Sequence, residues 1–159
     1  MKKYATVWML VTALVLTGCG ERIEETSANV DLEAFYAAVA QEYQWGDGYM
    51  VDLEGEMLEA SYPGLQEIPT VQRVAKAPVM SSVVNEMVFL ECKSEEDADC
   101  AAAILQERIT LQKNGGAWYP ESMEAWGRGI VIRQGNYVAM IASAEHQDEI
   151  SDGFTRLFQ

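Results

Sequence analysis

From Asp31 the apolar positions recur at helical spacing: Leu32, Phe35, Tyr36, Val39, Ala40 and Tyr43 form one stripe behind a good N-cap. Val30 and Phe35 occupy the N′ and N4 positions and predict a hydrophobic staple where the chain enters the fold. Trp45-Gly46-Asp47-Gly48 ends this helix. A shorter helix is predicted from near Asp52, carrying Leu53, Met57 and Leu58 until Tyr62-Pro63-Gly64 breaks it. The period then changes. Thr70 to Met80 alternates as a strand does, with Pro78 marking an edge or an end, because proline has no N–H to give to a ladder. Val83 to Cys92 is apolar on both parities, the pattern of a central strand covered on both faces. Ser94 with Glu95, Glu96 and Asp97 caps a long helix whose stripe is Ala98, Ala101, Ala102, Leu105 and Ile109, and Gly115-Gly116 stops it.

Ala117 to Gly129 reads as a connection with one helical turn over Glu121 to Ala125. Ile130 to Ile132 and Tyr137 to Ile141 flank a Gly135-Asn136 turn and form a hairpin. Ser143 is read as the cap of a last helix with Ile150, Phe154, Leu157 and Phe158 on its buried side. The predicted order is α-α-β-β-α-β-β-α, an α+β domain over residues 30–159. Its core is an antiparallel four-stranded sheet with helices packed against it.

Ahead of this domain, Lys2 and Lys3 precede a thirteen-residue apolar run, Tyr4 to Leu16. At 1.5 Å per residue such a helix falls short of about 30 Å of hydrocarbon, so residues 1–18 read as an export signal instead of a membrane span. Leu16-Thr17-Gly18-Cys19 resembles the lipobox of bacterial lipoproteins, in which the cysteine is acylated and becomes the first residue after cleavage. The alternative is a plain secretory signal with an accidental cysteine. Two acyl chains on Cys19 hold a domain on a bilayer stably, and 19–29 then serve as a flexible tether. The expected location is the extracytoplasmic face of a cell membrane.

Composition narrows the function. The 159 residues suit one domain, and 49% hydrophobic content supplies a real core. The formal charge of -14, with 25 acidic against 11 basic residues, argues against nucleic acid as a partner, since such binding depends on Lys and Arg displacing counterions.

Taken together, the lipobox, the capped Asp31 helix, the Tyr62 turn, Asn85-Glu86 leading into a strand and the Gly135-Asn136-Tyr137 hairpin resemble the lipoprotein family of domain of unknown function 4358. The similarity runs from about Val30 to Phe158. It implies a small surface lipoprotein of Gram-positive type, with Glu86 and Asn136-Tyr137 as the best-matching positions, and it implies no activity. The Cys92 and Cys100 pair lies outside that pattern.

Few residues have a claim to chemistry. Outside the membrane thiols oxidise, so Cys92 and Cys100 are a candidate disulfide, against two unbonded thiols. A redox pair is disfavoured by the spacing and by neighbouring acids, which oppose the thiolate. His146 is the single histidine and reads as a partly buried imidazole on the last helix. No nucleophile-turn or phosphate-loop pattern accompanies it. Glu86 is the one carboxylate worth naming, with a salt bridge or backbone hydrogen bond as the plainer reading. Two acidic groups, Asp52, Glu54, Glu56 and Glu59, and Glu95, Glu96, Asp97 and Asp99, lack the loop spacing of calcium sites. Trp118, Tyr119 and Trp126 share one connection and either close the core or bind a ligand or partner.

The expectation is a non-catalytic binding or adaptor module with no cofactor and no metal. It is held to the membrane through a lipid on Cys19 and engages an envelope protein. The alternative is a small-ligand or cation-binding receptor serving a transporter.

Overall fold

The computed structural model describes residues 30–159; the expected signal, Cys19 and the tether lie outside the described residues. The described residues form five α-helices and five strands: α1 (Leu32–Glu42), β1 (Met50–Asp52), α2 (Gly55–Ser61), β2 (Thr70–Pro78), β3 (Asn85–Cys92), α3 (Glu95–Leu111), α4 (Pro120–Gly127), β4 (Ile130–Gln134), β5 (Tyr137–Ser143) and α5 (Gln147–Arg156). A 3-10 turn over Leu65–Glu67 follows α2, and a π-helical turn over Gln112–Gly116 follows α3.

The strands make one sheet in the order β1-β2-β3-β5-β4, and every pair is antiparallel. β3 is central, and all of it but Glu91 is buried, as its two-parity apolar run requires. Because side chains alternate across a strand, Val88, Leu90 and Cys92 face the layer of α2, α3 and α4. Met87 and Phe89 face α1 and α5. The result is a three-layer fold with helices on both faces of the sheet.

Several expectations are corrected. The sheet has five strands, not four. The missed strand, β1, is three residues long and is fixed by pairing Met50 with Pro78 and Asp52 with Lys76, a tertiary contact with no local signature. It occupies the place where the second helix was expected, so α2 begins at Gly55, not Asp52. β1 is also an edge strand, and Pro78 closes β2 beside it. The turn expected over Glu121 to Ala125 is a full helix with Pro120 at its first position. Ser143 ends β5 instead of capping α5, whose N-cap is His146.

The remaining caps match the sequence. Asp31 accepts the Ala34 N–H at 2.9 Å and Ser94 accepts that of Asp97 at 3.1 Å. Val30 is buried, and Phe35 packs in the same cluster. The entry point is pinned further by Gln72 on β2, which donates to the Val30 carbonyl at 2.7 Å and accepts the Leu32 N–H at 3.0 Å. The β4–β5 hairpin turns at Gly135, with φ +59°, and Asn136 donates its amide to the Cys92 carbonyl at 2.7 Å.

Candidate functional site

Glu86 enters at the start of β3, opposite Ala142 of β5, on the face shared with Val88 and Leu90. Two side chains from distant segments converge on its carboxylate. Arg108 of α3 donates Nε to Oε1 at 2.9 Å and Nη2 to Oε2 at 3.0 Å. Tyr62, at the end of α2, donates its hydroxyl to Oε1 at 2.5 Å. The Arg108 guanidinium lies 5.7 Å from the Tyr62 ring centroid and 5.4 Å from that of Trp126, so two aromatic faces hold the cation. Burial works against the Arg108 charge, and the hydrogen bonds and charge of Glu86 more than offset it, pushing its pKa up. Burial and then the Glu86 charge raise the Tyr62 phenol well above its ordinary 10.0. Glu86 thus accepts three hydrogen bonds, two at Oε1 and one at Oε2, inside a buried ion pair.

Above the trio lies a cleft of about 680 Å³. Glu86 and Arg108 reach it from the sheet and α3, Ser81 and Ser82 from the β2–β3 loop, and Gln112 and Trp118 from the α3–α4 connection. The local sequence explains that connection. Gly115 adopts φ +115°, open to glycine and strained for other residues, and a Cβ on Gly116 would meet the Leu111 carbonyl oxygen at 2.9 Å. The chain therefore leaves α3 sharply and runs out to Pro120, with Trp118 92% and Tyr119 52% exposed. Closure of the core was one reading of this trio of aromatics. Trp126 alone does so, at 5% exposure. Sequence reasoning thus named four residues, Glu86, Trp118, Tyr119 and Trp126, that the fold gathers at one cleft, 32 or more positions apart for Glu86 and the rest.

Arg108 was missed, although it sits three residues after Leu105 on the buried side of α3. A cation at an apolar stripe position was the available signal. Tyr62 was read only as part of a helix-ending turn.

The other candidates stay apart from the cleft. Cys92 and Cys100 are unbonded: Cys92 is buried in the sheet face, whereas Cys100 points outward from α3, off the Ala98, Ala101 and Leu105 stripe. The expected disulfide is therefore absent, because helix rotation carries the second thiol to solvent. Burial, then Asp97, pushes the Cys92 thiol up to about 11. His146 belongs to the opposite layer, where its ring stacks on Tyr43 at 3.8 Å and 8°. Several of the acidic residues are engaged by cations or a hydroxyl of their own neighbourhood. Asp52 pairs with Lys76 at 2.6 Å, Asp99 and Glu95 with Arg133 at 2.9 and 3.3 Å, and Asp97 with Ser94.

No protein-family model, curated protein or solved structure matched the chain.

Proposed function

We propose that the protein is a non-catalytic binding module of the cell envelope, held on the extracytoplasmic face of the membrane by a lipid on Cys19, and that the cleft over Glu86 and Arg108 is its binding site. The observation that carries this reading is Trp118, an almost fully exposed indole held at the mouth of that cleft by a glycine turn and a proline. Water-exposed indole is costly, at roughly 25 cal/mol per Å² of apolar surface, and no core position requires it. An occupant that covers it recovers that energy. Two further features support a binding role over catalysis. Glu86 is committed to Arg108 and Tyr62, and His146 packs in the other layer. The lipid tether raises the module's effective concentration for anything close to the membrane.

A second reading, an adaptor docking an envelope protein, is favoured by the exposed Val79, Met80 and Leu111, which adjoin the cleft-lining segments. Photo-cross-linking on intact cells tests the site. A benzophenone side chain at position 118 is expected to capture an occupant, and the same group at position 42, on α1 across the sheet, is not. Equal or no capture from the two positions contradicts the proposed site. A small-molecule adduct favours the receptor form of the module, and a protein adduct favours the adaptor.

A further inference from the structure

Resting on the reading that the cleft is the binding site, we infer that its ligand is a neutral oligosaccharide. Three features of the cleft point to that chemistry. Its one ion pair is internally neutral, because both oxygens of Glu86 are taken by Arg108, with Tyr62 on the first. The floor therefore offers no net charge to a charged ligand, and a protein of formal charge -14 repels polyanions. Ser61, Ser81, Ser82 and Gln112, whose side chains end in hydroxyls and an amide, line the walls. Each of these donates and accepts hydrogen bonds, which matches a ligand whose own hydroxyls do both. At the mouth, Trp118 and Tyr119 present flat apolar faces. A pyranose ring has a complementary face of C–H groups, and stacking covers that face while its edge hydroxyls remain free for the walls.

The same features disfavour a peptide anchor. A hot-spot side chain fills a dry apolar pocket, whereas this floor is an ion pair whose arginine side chain keeps 20% of its surface exposed. The volume of about 680 Å³ falls inside the range of small-molecule sites and leaves room for more than one sugar ring.

The test uses the full lipidated protein in a detergent without a sugar headgroup. It is titrated with N-acetylglucosamine trimer, maltotriose and, as an anionic comparator, trigalacturonic acid, and binding is read by tryptophan fluorescence and saturation-transfer NMR. At least one neutral trisaccharide is expected to bind, Trp118→Ala to weaken it about tenfold, and Trp118→Phe to restore most of it, the upper range for one aromatic contact. Trp118 is exposed, so the alanine variant is expected to keep the wild-type melting temperature, which separates lost binding from lost folding. Three results overturn the inference: no saccharide binding, tighter binding of the anionic trisaccharide, or neutral binding indifferent to Trp118→Ala. Failure here with continued capture from position 118 on cells refutes the ligand class alone. Failure of both refutes the site.

Discussion

Replacing Glu86 by Gln keeps the shape of the side chain and removes the charge that Arg108 was folded against. Arg108 then faces an amide, with one of its two hydrogen bonds turned into a donor–donor contact, and its cation is left without a counterion. Stripping one partner from a buried pair costs about 3–5 kcal/mol. Here the Arg108 side chain is 20% exposed to the cleft against 8% for Glu86, so water repairs part of the loss and the expected cost is about 2–3 kcal/mol. For a domain of this size each kcal/mol lowers the melting temperature by about 3–5 °C, giving a fall of about 10 °C. Urea denaturation followed by circular dichroism measures it. The double variant Glu86→Gln with Arg108→Met removes the orphaned charge and is expected to recover at least about 1 kcal/mol relative to the sum of the single changes. A single variant within about 0.5 kcal/mol of wild type, or strict additivity, would refute the claim that this pair holds the cleft floor together.

Tyr62 has a raised pKa in the folded state, so the unfolded chain releases that proton first, at about 10. Stability is therefore present below pH 10 and lost as pH rises above it, and Tyr62→Phe is expected to flatten that alkaline limb in unfolding curves; an unchanged limb contradicts the buried hydrogen bond. In a Cys19→Ser variant, a thiol reagent at neutral pH is expected to modify Cys100 quickly and Cys92 only after denaturation; two protected thiols in the oxidised protein would restore the disulfide. Gly115→Ala forces a side chain into φ +115° and is expected to cost about 1–3 kcal/mol in chemical denaturation. No loss of stability would show that the turn relaxes without glycine.

Much of the fold was legible because its main signals are local. The two-parity run of β3, the Asp31 and Ser94 caps and the Gly135-Asn136 turn each carry their own stereochemical reason. What failed was set by partners far along the chain. β1 has three residues and an exposed valine, and only its ladder with β2 makes it a strand. The Cys92–Cys100 spacing suggested a bond, but which side of α3 faces the sheet is decided by Ala98, Ala101 and Leu105. At the site, Glu86 and the aromatic connection could be named from residue type and position. Their meeting could not, since it depends on Arg108 crossing over β3 from α3 and on Tyr62 arriving from α2.

A cleft that faces outward and is occupied in the cell shields its wall from reagents in the medium. Ser81 is an exposed residue of its wall, so Ser81→Cys in a Cys100→Ser background can be labelled with a membrane-impermeant maleimide, with Glu56→Cys on α2 as the exposed control. The control is expected to be labelled equally on intact cells and in the purified protein, whereas position 81 is labelled in the purified protein and protected on cells. Equal labelling of both positions on cells would contradict occupancy, and labelling of neither would contradict the extracytoplasmic location.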